Sequence, residues 1–62
     1  MKQTEHTYTE AGYKVARAIQ AGKADRARAA LQNFRLLLAL ESAADKPEAL
    51  RLYGLGYSEA QR

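Results

Sequence analysis

Few side chains in this 62-residue chain could act at a reacting bond, and their spacing limits what they could do. His6 is the single imidazole, and it stands four residues before Glu10. On a helix that spacing places both on one face, where a metal site can begin. Two ligands without a third do not hold a metal, and a chain without cysteine has no thiolate to complete the set. No metal or other cofactor is expected. A nucleophile needs a base within hydrogen-bond reach, and His6 falls in an N-terminal stretch with no apolar period to fix it. The acids Glu10, Asp25, Asp45 and Glu48 are accounted for at helix starts, and Gly12 and Gly22 do not form a phosphate loop. The chain is therefore expected not to be an enzyme, with no catalytic residue and no small-molecule substrate.

The basic residues have a clearer pattern. Ten Lys and Arg against seven Asp and Glu give a net charge of +3. Lys14, Arg17, Lys23, Arg26, Arg28 and Arg35 lie in the middle of the chain, with Asp25 the one acid among them. A local cluster of this kind suits a polyanion. At helical period Tyr13, Lys14, Arg17 and Gln20 share the outer face of a first helix, and Arg28 and Arg35 share that of a second. Arginine and lysine contact phosphates, and a tyrosine can stack on a base. Tyr13, Lys14, Arg17, Arg28 and Arg35 are thus the candidate nucleic-acid-binding residues. The competing and commoner explanation is a solvated surface, with the tyrosine shielded by its neighbours' aliphatic stems.

These residues need helices to position them. Alanine supplies much of the 47% apolar content, and alanine is the best helix former. Residues 1–7 are polar and read as a flexible arm. Thr7-Tyr8-Thr9-Glu10 has capping-box spacing, so a first helix is predicted over 8–21, ending at Gly22. Tyr8, Ala11, Gly12, Val15, Ala18 and Ile19 form its apolar face. A second helix is predicted over 24–43, and so short a link implies an antiparallel helical hairpin. Asp45-Lys46-Pro47-Glu48 starts a short third helix over 46–53. Gly54 is expected to end it, leaving 54–62 as a turn and a frayed C-terminus.

The second helix carries the main signal for function. Ala24, Ala27, Ala30, Leu31, Phe34, Leu37 and Leu38 form the face toward the first helix. The opposite face begins polar, with Arg28, Gln32 and Arg35, and then becomes Leu36, Ala39, Leu40 and Ala43. At 1.5 Å per residue the second helix is about 9 Å longer than the first, so its leucine-rich end extends past its neighbour. Either Leu50, Tyr53, Leu55 and Tyr57 fold back over Leu36 and Leu40, or a second chain covers them. A core of this size rarely yields more than about 3–5 kcal/mol without a staple. With disulfides excluded and a metal not expected, oligomerisation is the staple left.

Two local patterns bear on nucleic acid. Residues Leu50 to Gln61, with the glycine turn Gly54-Leu55-Gly56 and Ser58 beyond it, resemble the first helix and turn of a helix-turn-helix. The resemblance covers about a dozen residues, and only one turn of a recognition helix follows. A ribbon-helix-helix arrangement would pair the N-terminal arms as strands, but the arm lacks alternating apolar residues.

The expectation is an all-α protein, an antiparallel helical hairpin plus a short third helix, dimerising into a helical bundle. Its expected function is that of a small non-enzymatic regulatory or adaptor protein, acting through helix-mediated protein contact. Leu36, Leu40, Ala39 and Ala43 form the interface, with a second copy or another helical protein as partner. The alternative is a nucleic-acid-binding regulator. No run is long enough to span a bilayer and no apolar segment follows Lys2, so a cytoplasmic location is expected.

Overall fold

A computed structural model of the chain describes residues 3–62. The described residues form three helices, α1 (Glu5–Gln20), α2 (Ala24–Ala39) and α3 (Lys46–Ala60), and no strand. The fold is all-α.

Helix α1 starts one turn earlier than the capping pattern at Thr7 implied. Thr4 is the N-cap, in extended conformation, and its Oγ1 accepts the Thr7 amide at 3.2 Å. Thr9, expected at the helix start, instead donates its hydroxyl back to the carbonyls of Glu5 and His6 inside the first turns. The expected arm of residues 1–7 is thus helical from Glu5, while Met1 and Lys2 lie outside the described residues. At its other end α1 closes with paired hydrogen bonds, Gly22 N–H to Ile19 O at 3.0 Å and Lys23 N–H to Ala18 O at 2.9 Å. Gly22 takes the left-handed conformation this closure requires, with φ 71°.

Helix α2 ends at Ala39 rather than Ala43. Its last amides tighten onto carbonyls three residues back, Leu40 to Leu37 and Glu41 to Leu38. The chain turns there because Glu41 points inward: the residue is only 4% exposed, and its carboxylate accepts the Tyr8 hydroxyl at 2.6 Å and the Gln3 amide at 3.0 Å. A turn from Ser42 to Asp45 leads into α3. Asp45 occupies the N-cap position of α3 but makes no side-chain cap bond, and its carboxylate accepts the Ser42 hydroxyl instead.

The largest departure from expectation is α3. It does not stop at Gly54 but runs through Gly54 and Gly56 to Ala60, so 54–62 is mostly helix rather than turn and frayed end. The cause is its packing on α1. A Cβ on Gly56 would lie 1.8 Å from the Thr9 carbonyl oxygen, and one on Gly12 would lie 1.9 Å from that of Tyr53. The two glycines let the backbones of α1 and α3 touch, and contact along the helix outweighs the glycines' weak helix propensity, about 1 kcal/mol each. Gly12 meets Tyr53 and the Gln20 side chain donates to Ala60 O at 3.0 Å, so α1 and α3 run in the same direction. This continuous helix also removes the helix-turn-helix resemblance, since no turn separates Leu50 from Ala60.

The core gathers Tyr8, Phe34, Ala49 and Leu52, with Ala11, Leu31, Leu37, Leu38 and Tyr53 packed against it. The Phe34 ring meets Tyr8 edge-on at 5.9 Å and stacks on Tyr53 at 4.2 Å. Aromatic pairs of this geometry add about 0.5–1.5 kcal/mol beyond burial. Phe34 is the one buried residue of α2, so this contact and the Tyr8–Glu41 bond hold α2 to the other two helices.

Candidate functional site

Two surfaces carry the residues singled out by type and spacing. The first is on α2. Leu36 and Leu40 are 63% and 55% exposed, and Ala39 and Ala43 are exposed beside them in sequence. Their placement is less regular than a 24–43 helix implied: Leu40 is the C-cap and Ala43 lies in the following turn. Helix α3 does not fold back over them. Its inward residues are Ala49, Leu52, Gly56 and Ala60, with Tyr53 against the core, while Leu50 and Leu55 remain exposed. Of the residues expected to cover Leu36 and Leu40, Leu50 and Leu55 are thus exposed, and Tyr53 packs on the core beside Leu52 instead. Next to Leu36, the side chains of Arg28, Leu31, Gln32 and Arg35 line a shallow groove of about 360 Å³.

The second surface is the angle between α1 and the start of α2. Tyr13, Lys14 and Arg17 from α1, with Lys23 and Arg26 from the other side, line a groove of about 530 Å³ over Ala18 and Ala30. It is open because the apolar residue that α2 contributes here is Ala30, too small to fill the space that Phe34 fills further along. The Arg17 guanidinium lies 5.9 Å from the centre of the Tyr13 ring, and Tyr13 is 41% exposed. Lys14 pairs with Glu10 at 2.8 Å, which holds the Glu10 carboxyl below its usual range. Arg17, Lys23 and Arg26 have no carboxylate within ion-pair distance among the described residues.

The expected basic surface running across both helices is therefore divided. Tyr13, Lys14 and Arg17 share one groove, while Arg28 and Arg35 line the other, beside Leu36. Lys23 and Arg26, absent from the candidate set, complete the first groove. Their membership depends on the tight Gly22 closure, which sets the first turn of α2 against the last turns of α1. Only Gly22 itself signalled that geometry.

His6 and Glu10 do meet, at 2.8 Å on the exposed side of α1. No group of three or more metal-ligating side chains occurs among the described residues. Burial raises the Tyr8 hydroxyl well above the usual tyrosine range, helped by its bond to Glu41, and burial raises Tyr53 in the same direction. The Tyr8 phenol thus stays protonated and donates to the Glu41 carboxylate. No helix among the described residues is long and apolar enough to cross a membrane. No protein-family model matches the chain, and no curated protein or solved structure matches it.

Proposed function

We propose that the chain is a small non-enzymatic regulatory or adaptor protein that works by helix-mediated contact, with the α1–α2 pair acting as a helical hairpin and α2 as the docking element. The observation that supports this reading is the exposure of Leu36 and Leu40, 63% and 55%, in a chain whose third helix is engaged elsewhere. Full burial of a leucine gains about 1.5–3 kcal/mol, a large share of the stability of a domain this small. A second copy of the chain is the simplest partner. Two α2 helices meeting through Leu36, Ala39 and Leu40 bury the same residues on each side, as a two-fold interface does, and Ala43 extends the contact at its edge.

Light scattering at tens of micromolar tests the reading. The wild-type chain is expected to be a dimer. Leu36→Glu removes one leucine from each side, about 3 kcal/mol at the low end of burial, and so raises the dimer Kd about a hundredfold. Leu40→Glu is expected to act in the same direction. A monomer at that concentration, with both variants as stable as wild type, refutes the interface.

A further inference from the structure

The groove between α1 and the start of α2 has a composition that an interface between helices does not need. Its rim is Lys14, Arg17, Lys23 and Arg26, its floor is Ala18 and Ala30, and a half-exposed aromatic ring, Tyr13, stands in its wall. Three of the four cations lack an ion-pair partner among the described residues, and Lys14 is offset by Glu10. Asp25, exposed in the first turn of α2, is the nearest acid in sequence and does not line the groove. Helix α2 also starts without a side-chain cap, so the positive end of its dipole is not met by a capping oxygen.

We propose that this groove binds a segment of single-stranded nucleic acid, with a base against Tyr13 and the adjoining phosphates on Arg17, Lys23 and Arg26. Charge complementarity selects a polyanion, and the exposed ring adds a stacking surface that accepts any base. The shape selects the single strand. A volume of about 530 Å³ lies within the range of ligand clefts, which suits a flexible strand threading through one or two units at a time. Duplex DNA is read by a helix or ribbon that protrudes into a groove about 12 Å wide. Here the cations line a concavity instead. Arg28 and Arg35, on the other groove, take no part.

The test is fluorescence anisotropy with a labelled twelve-nucleotide single strand, titrated at 50 and 200 mM salt. Three phosphate contacts on a single strand give a slope of about −2 in log affinity against log salt, so binding weakens about twentyfold across that range. Arg26→Ala or Lys23→Ala should reduce the slope by about 0.7. Tyr13→Ala should weaken binding at least about fivefold and leave the slope unchanged. All these positions are exposed, and circular dichroism checks that each variant keeps its helices. The paired variant Arg28→Ala with Arg35→Ala should change neither quantity. The proposal is overturned by no binding at 50 mM salt, by equal or tighter binding of the matching duplex, or by equal loss in the Arg28/Arg35 variant. Inorganic polyphosphate competing as well as the oligonucleotide, with Tyr13→Ala without effect, also overturns it, because the groove would then read charge alone.

Discussion

The contact between α1 and α3 makes a strong prediction, because it depends on two atoms that glycine lacks. In Gly56→Ala the new Cβ would lie 1.8 Å from Thr9 O, 2.6 Å from Thr9 C and 2.9 Å from Thr9 Cα. All three are backbone atoms inside α1, so no side chain can rotate away. Reaching ordinary contact, 3.4 Å, requires the helices to separate by 3.4 − 1.8 = 1.6 Å. A gap of 0.5–1 Å already forfeits a quarter to a half of the dispersion attraction across it, and Ala49, Leu52 and Ala60 on α3 all depend on that closeness. Overpacking in cores costs about 1–3 kcal/mol, occasionally more, and the gain in helix propensity returns about 1. With a backbone clash this close the cost falls at the upper end of that range, so the expected net loss is about 2 kcal/mol, from a total near 3–5. Gly54 is the internal control: it lies in the same helix, at negative φ, with nothing within 4 Å of an added Cβ. Gly54→Ala should therefore stabilise the chain by about 0.5–1 kcal/mol. Urea unfolding followed by circular dichroism at 222 nm measures both variants. If Gly56→Ala is as stable as wild type, the backbones do not touch. If Gly54→Ala loses as much as Gly56→Ala, α3 is not a continuous helix through that point.

That contact also shows where sequence reading loses its grip. Helix α2 was legible because Phe34, Leu37 and Leu38 recur at helical period and no glycine or proline interrupts them. The closure at Gly22 was legible because a left-handed residue after a helix is a local requirement. Gly54-Leu55-Gly56 has the local character of a turn, and what makes it helix is non-local: the Thr9 carbonyl, 47 positions earlier in the chain, fits against Gly56. The end of α2 has the same kind of cause. Leu40 to Ala43 continue the helical pattern, but the buried Glu41 carboxylate, bonded to the Tyr8 hydroxyl and the Gln3 amide, diverts the chain. For the candidate site, Leu36 and Leu40 were identifiable because their exposure follows from the period of one helix. The groove was only half legible, because it needs the angle between two helices to place Lys23 and Arg26 opposite Arg17.

Further expectations concern the Tyr8–Glu41 bond and the α1 closure. Tyr8→Phe leaves a nearly buried carboxylate without its 2.6 Å donor and should cost about 1–3 kcal/mol in urea unfolding; no loss would mean the bond contributes nothing. Tyr8 and Tyr53 are both raised above the ordinary tyrosine pKa of about 10. Their contribution is present in full below pH 10 and is lost as pH rises toward their folded values, so stability should fall from about pH 10 upward, less steeply in Tyr8→Phe; an unchanged slope in that variant would refute the assignment. Gly22→Ala meets no neighbour but forces a side chain to φ 71°, and should cost about 1–2 kcal/mol by thermal unfolding.

The groove and the weak attachment of α2 are two consequences of one packing pattern, and that links stability to binding. Residues 24–30 of α2 include four alanines, no large apolar side chain and no side-chain cap at the start, and none of them is buried. Helix α1, by contrast, buries Tyr8, Gly12, Val15 and Ala16, and α3 buries Ala49, Leu52, Gly56 and Ala60. Opening free energies follow buried contact, so amide hydrogen exchange should be fastest in the 24–30 half of α2, slower around Phe34, and slowest in the facing stretches of α1 and α3. A strand bound between Arg17 and Arg26 bridges the firm helix and the loose half-helix, and should therefore slow exchange in 24–30 selectively while leaving α3 unchanged. Protection spread equally over all three helices would indicate global stabilisation instead, and no change in 24–30 would separate binding from this groove altogether.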